Sequence, residues 1–183
     1  MKIFIDPGHG GEDPGAINEE LGLKEACVNL DIALRLNNIL ISRGYETELS
    51  RTTNVFVALR RRAEFANDWD ANYFVSIHSN SNENKEANGT ETLVHSYPSI
   101  AYNLAIEVQR QLILRNGLLD RGIIIRPNLA VLRLTNMPAI LIEVAFISNP
   151  KEAELLSEPE FRQSSAQAIA DGITNYLAMN ISE

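Results

Sequence analysis

"AILIEVAFI", Ala139 to Ile147, is the most apolar stretch of the 183-residue sequence, and a single glutamate stands in the middle of it. A short unbroken apolar run reads as a strand covered on both faces, because a strand covered on one face would alternate apolar and polar side chains. Its first half is therefore expected to be a central strand. Two other runs share this character. "KIFID" (Lys2 to Asp6) is closed by turn residues, and "NYFVSI" (Asn72 to Ile77) stops at the Asn- and Ser-rich loop "HSNSNENKEANG". "YETELS" alternates like a half-buried strand.

Helical spacing fills the intervals. Lys24 to Arg43 carries Ala26, Leu30, Ala33 and Leu40 on one stripe, with Gly44 at the C-terminal cap. "VFVALRRRAEFANDW" predicts a second helix with Val55, Leu59, Ala63 and Ala66 inside and Arg60 to Arg62 on a wet face balanced by acids. A third runs from about Ser99 to Leu114, followed by a less regular part containing "DRGIII" and "LAVLRL". Two helices close the chain, one opened by Asn149 and Pro150, the other by a capping box, Ser157 to Glu160, before Phe161, Ile169, Ile173 and Leu177. Strands alternating with helices predict one α/β domain over residues 1–183, a mainly parallel sheet with helices on both faces.

Composition bounds the function. A formal charge of −8 and a sequence pI near 4.9 argue against a protein built to sit on nucleic acid phosphates, which requires clustered Lys and Arg. The lone Cys27 has no partner for a disulfide or a C-x-x-C motif and is expected to fill the core. Met1 and Lys2 lead straight into a strand rather than a secretory h-region, and no run approaches the ~20 apolar residues of a membrane helix.

In open α/β sheets ligands bind at the carboxyl ends of the strands. His9, in "DPGHGG", follows the first strand; His78 follows "YFVSI"; Glu143 ends "AILIE"; and Glu25 opens the first helix on the same loop as His9. Two histidines and a carboxylate are a catalytic zinc set that leaves a position open for water, and a second carboxylate can then take that water's proton. Each residue also has an ordinary reading: His9 as a loop cap, His78 as a satisfied core histidine, Glu25 as a helix-dipole acid, Glu143 as the partner of Arg133 or Arg121. Glu143 carries the most information, since an ionised carboxylate among Ile140, Leu141, Ile142 and Val144 needs a cation or hydrogen bonds. Gly8, Gly10 and Gly11 are expected to let a ligand come close. A phosphate loop is the rival reading and fits poorly, because G-x-x-x-x-G-K-[ST] is missing and Asp13 stands where a dinucleotide motif needs glycine. His95, with no paired acid nearby in sequence, is expected to be structural or on the surface.

The ordered blocks "IDPGHGGEDPGA", "LSRTT", "FVSIHSN", "NGTETL", "DRG", "VLRLTNMPAILIEVAFISN" and "AQAIADGITNYL" resemble the zinc-dependent N-acetylmuramoyl-L-alanine amidases that cut bacterial peptidoglycan. The resemblance implies a six-stranded sheet, one catalytic Zn2+ on His9, Glu25 and His78, Glu143 as the catalytic carboxylate, and Asn80 and Arg121 as substrate-binding residues. It implies a monomer that acts on glycan strand and stem peptide in the cell wall or periplasm, as an autolysin or endolysin. Ala26 stands where many relatives carry lysine and Ala145 where glycine is commoner. Only about 25 residues run from the start of "NGLLDRG" at Asn116 to Glu143, too few for the inhibitory helix that some relatives insert there, so an open site is expected. The competing readings are a zinc metallo-exopeptidase, which would need a group to recognise a free terminus, and a non-catalytic wall-binding module, which would have no use for Glu143.

Overall fold

A computed structural model describes residues 1–180. Six strands form one sheet in the order β4-β1-β5-β8-β6-β7: β1 (Lys2–Pro7), β4 (Glu46–Leu49), β5 (Tyr73–Asn80), β6 (Thr90–Val94), β7 (Asp120–Ile125) and β8 (Ala139–Phe146). All ladders are parallel except β6 against β8. A two-stranded ribbon, β2 (Ile17–Asn18) with β3 (Leu23–Lys24), leads into the first helix. The expected α/β class and six-stranded sheet are thus present. The strand from "AILIEVAF" runs its full length, which puts Glu143 inside β8 rather than at its end.

The two faces of the sheet are covered unequally. Alternation along the strands sends Ile3, Ile5, Val75, Ile77, Ile140 and Ile142 to one face, under the long helices α1 (Glu25–Ser42), α3 (Ile100–Asn116) and α6 (Pro159–Asn180). The other face carries Phe4, Phe74, Leu93 and Leu141 under α2 (Leu59–Asp68) and the four-residue α4 (Ala130–Arg133). Each fully buried Ile, Leu or Phe contributes about 1.5 to 3 kcal/mol, so the three-helix face dominates the core. Residues 4, 6, 74, 76, 78, 139, 141 and 143 share the thinly covered face by the period-two rule. His78 and Glu143 are register partners across β5 and β8. Short helices leave the carboxyl end of this face uncovered, and the candidate residues lie there.

Four local expectations change. The second helix starts at Leu59, and Val55 and Leu59 are exposed. The inner stripe is Arg62, Ala63 and Ala66 because the Arg62 guanidinium turns in to Asp6, Nη1 to Oδ1 2.8 Å; Arg60 and Arg61 stay in solvent beside Glu64. The α1 stripe is carried by Val28, Ile32, Ala33 and Leu36 rather than Leu30, which is only partly buried, and Cys27 points outward. The Ser157 capping box does not form: its Oγ donates to the Glu154 carbonyl, closing α5 (Pro150–Ser157), and α6 begins at Pro159. The Asn149 cap of α5 does form, with Oδ1 accepting from the Lys151 and Glu152 amides.

Candidate metal and catalytic site

His9, Glu25 and His78 converge, with one donor atom from each within 4.8 Å of the others. Glu25 Oε1 lies 3.2 Å from His9 Nε2 and 3.0 Å from His78 Nδ1. Its carboxylate is fixed from behind by the Ala16 amide on Oε2 and by the Ser79 amide and Asn29 Nδ2 on Oε1. The outer nitrogen of His9, Nδ1, sits 2.9 Å from Asp13 Oδ2. An imidazole whose second nitrogen is held by a carboxylate has a set ring orientation and a more basic inner nitrogen, the usual support of a metal-ligating histidine. Two neutral-capable imidazoles and a carboxylate around one small volume fit a zinc ion with an open fourth position.

The glycines serve the protein itself. A Cβ on Gly8 would lie 2.2 Å from the His78 ring, and one on Gly10 would meet the Val55 carbonyl at 2.2 Å. Gly8 thus admits a ligand side chain, and Gly10 admits the neighbouring loop. Gly8 also borders the cavity beside His9 and His78. His9 itself takes φ 60°, a left-handed conformation that costs a non-glycine residue energy and persists only when its surroundings enforce it. Two arginines do so. Arg62 Nη2 donates to the His9 carbonyl at 2.8 Å, and Arg51 donates to the carbonyls of Pro7, Gly8 and Ala26.

Beyond His78 lies Glu143, whose Oε2 is buried with no hydrogen-bond partner among the described residues. Arg121, offered by the sequence as its possible partner, pairs instead with Glu91, Nε to Oε2 2.7 Å, and its guanidinium lies 5.0 Å above the Phe146 ring. Glu91 is the ladder partner of Glu143, and its other oxygen accepts from Asn80 Nδ2 at 3.0 Å. Asn80 and Arg121 are therefore joined through a residue that sequence reasoning passed over. The period-two pattern of "TETLV" points to Glu91. It shares the thinly covered face with Leu93 and is itself buried.

Electrostatics separate the two glutamates, Glu25 and Glu143. Burial pushes Glu25 up, but hydrogen bonds and charge from His78 and His9 hold it well below the carboxylate range. His9 is raised to about 9, first by its bond to Glu25 and despite burial. Burial pulls His78 down, and Glu25 together with the Glu143 charge more than reverses that. Glu143 is raised to about 7, chiefly by burial, with His78 opposing and Glu25 and Glu91 adding. A carboxyl near 7 is matched to taking and returning a proton at neutral pH. His95 is exposed and far along the chain from this group, at the other end of β6.

A carboxyl raised toward neutrality beside a His-Glu-His cluster, on the carboxyl-terminal half of an α/β sheet, is an arrangement suited to hydrolysis. Residues 3–175 match the family model described as N-acetylmuramoyl-L-alanine amidase, and the chain belongs to that family of hydrolases. The N-acetylmuramoyl-L-alanine amidase LytC of Bacillus subtilis is 40% identical over 176 residues, covering 95% of this chain and 35% of LytC, so the chain spans about a third of that protein. The sporulation-specific N-acetylmuramoyl-L-alanine amidase of the same organism is 39% identical, covering 94% of this chain and 67% of that protein. Among solved structures, N-acetylmuramoyl-L-alanine amidase from Clostridium difficile 630 superposes with a TM-score of 0.93 at 36% identity, covering 97% and 96% of the two chains. The catalytic domain of CwlV from Bacillus (Paenibacillus) polymyxa gives 0.90 at 40% identity, with 97% and 98% covered.

Proposed function

We propose that this chain hydrolyses the amide between the lactyl group of N-acetylmuramic acid and the L-alanine that begins the peptidoglycan stem peptide, acting at the cell wall. Zinc is its cofactor in this reading, on His9 Nε2, His78 Nδ1 and the Glu25 carboxylate. The observation that carries it is Glu143: a buried oxygen without a partner, in register with a ligand histidine and raised to about 7. Zinc held by these residues would supply Lewis-acid polarisation of a carbonyl and an acidified water.

The rest follows from the chain's own groups. Glu143 accepts the proton of the attacking water and delivers it to the L-alanine nitrogen as the C–N bond breaks. Asp13 keeps the His9 ring aligned, and Arg51 and Arg62 keep its backbone in place. Asn80 and Arg121, locked by Glu91, offer donors to the substrate. A cavity of about 230 Å3 borders His9 and His78, so activity requires metal and no partner to clear the site. Among the described residues no helix is long and apolar enough to cross a membrane.

The test is mass spectrometry of soluble muropeptides after incubation with zinc-loaded protein and with the Glu143→Ala variant. Free stem peptides beginning with L-alanine from the wild type alone are expected. Intact muropeptides from both proteins, or trimming confined to peptide termini, would overturn the assignment.

A further inference from the structure

The cleft has two unlike walls. At the His9 and His78 end, a cavity that spans from β1 to β8 beneath α2 and α4 is walled by Phe56, Leu59, Leu129, Val131 and Leu141. Phe56 and Leu59 are 49% and 60% exposed, yet the loop that bears Phe56 is pinned. The Gly11 amide donates to Asn54 Oδ1 at 3.0 Å, Arg51 Nη1 to the Thr53 carbonyl at 3.1 Å, and Arg62 Nε to the Val57 carbonyl at 2.9 Å. A rigid half-exposed aromatic beside a cavity is a preformed platform, and apolar area presented this way favours binding at little entropic cost. On the β6–β7 side, beyond Glu143, the wall is Glu91, Asn80 and Arg121, a shelf of hydrogen-bonding and charged groups.

The chemistry decides which part of the substrate meets which wall. Glu143 must hand its proton to the departing nitrogen, so the peptide attached to that nitrogen leaves on the Glu143 side. The acyl half, with its sugar, is then left on the His9 and His78 side. The geometry points to a fixed polarity of binding: the muramyl ring fills the Phe56–Leu129 cavity, and the stem peptide runs across Glu91, Asn80 and Arg121, with Glu91 as the positioning residue of that shelf. A pyranose presents a C–H face that an aromatic ring covers, whereas successive peptide amides and carboxylates ask for polar partners. Strands lie about 4.8 Å apart, so β7 and Arg121 are about 10 Å from Glu143, within reach of the second or third stem residue.

This assignment rests on the amidase reading and is tested with substrates cut back from either end. Zinc-loaded protein is given three compounds: an N-acetylmuramoyl tetrapeptide, its sugar-free lactoyl tetrapeptide, and N-acetylmuramoyl-L-alanine alone. Phe56→Ala is expected to lower the preference, in kcat/KM, for the sugar-bearing over the sugar-free tetrapeptide by about tenfold, through KM, and Phe56→Tyr to restore it. Arg121→Ala and Glu91→Gln are expected to lower the preference for tetrapeptide over single alanine by about tenfold. Asn80→Ala acts in the same direction without touching the ion pair. Loss of sugar preference in the Arg121 variant in place of the Phe56 variant would reverse the polarity, and equal loss of both preferences in either variant would abolish it. A wild type that cleaves the muramoyl and lactoyl bonds equally well removes the sugar subsite while leaving the amidase standing; one that cleaves no substrate sinks the amidase and this assignment together.

Discussion

Asp6 and Glu143 are both carboxylates on strands of the same sheet, facing the same thinly covered side, and the protein treats them in opposite ways. Asp6, fully buried, is surrounded: Arg62 Nη1 and Ser50 Oγ donate to Oδ1 at 2.8 and 2.6 Å, and Ser76 Oγ to Oδ2 at 2.8 Å. Glu143 has a buried oxygen without a donor. A fold able to place a cation and two hydroxyls on one acid could have satisfied the other. The difference teaches that burial with partners is architecture, whereas burial without them is a reserved valence whose cost the fold carries for chemistry.

The largest effect expected from breaking this contrast is catalytic. Glu143→Gln keeps the shape and removes the proton acceptor, so kcat on muropeptides should fall by about 10²- to 10⁴-fold while the thermal midpoint holds or rises. A fall of less than tenfold would mean that another group moves the proton. On the architectural side the order is reversed. Arg62→Met leaves Asp6 buried and uncompensated, and loss of one partner of a buried pair costs about 3 to 5 kcal/mol. Denaturant unfolding should show that loss, and an unshifted midpoint would contradict the role given to the pair.

A smaller effect separates the two acids by pH. Glu143 is raised in the folded state to about 7, above its unfolded value, so its folded form prefers the proton. The contribution to stability is complete below the unfolded pKa and disappears as pH rises through about 7. For metal-free protein this amounts to on the order of 3 kcal/mol. The Glu143→Gln variant should lack that share of the decline, which urea unfolding between pH 4 and pH 8 measures directly. Parallel stability profiles for wild type and variant would show that Glu143 is solvated and not poised.

Much of this was legible in the sequence because it is written in periodicity. Continuous apolar runs gave β1, β5 and β8, and a glutamate inside the last of them was anomalous from composition alone. Histidines and acids near the strand ends pointed to the cluster that the fold brings together. Side chains that cross between elements were not legible. Arg62 sat in an apparently solvated basic run, and only the fold brings Asp6 beneath it; the same holds for Glu91, which three-dimensional pairing connects to Asn80 and Arg121. Val55 and Leu59 were placed inside by helical spacing, although the helix begins only at Leu59 and the residues before it are held as a loop by Arg51, Arg62 and Asn54. Periodicity describes how an element faces its core and is silent on what a long polar side chain does at the element's end.

Asp13 is the case where local spacing could have said more, since it lies four residues after His9 and reaches back to Nδ1. Carboxylates behind metal-ligating imidazoles typically change affinity by 10- to 100-fold. Asp13→Ala should weaken zinc binding by that factor in a competition titration against a chelating dye, with His9, Glu25 and His78 all still present. Asp13→Asn, which keeps an oxygen toward Nδ1 without the charge, should fall between the two. If Asn behaves as wild type, orientation of the ring is what Asp13 provides; if Asn behaves as Ala, the charge is. The outcome extends the contrast between Asp6 and Glu143 to a third acid, one that is neither locked into the core nor left unpartnered, but half-exposed and directed at the outer nitrogen of His9.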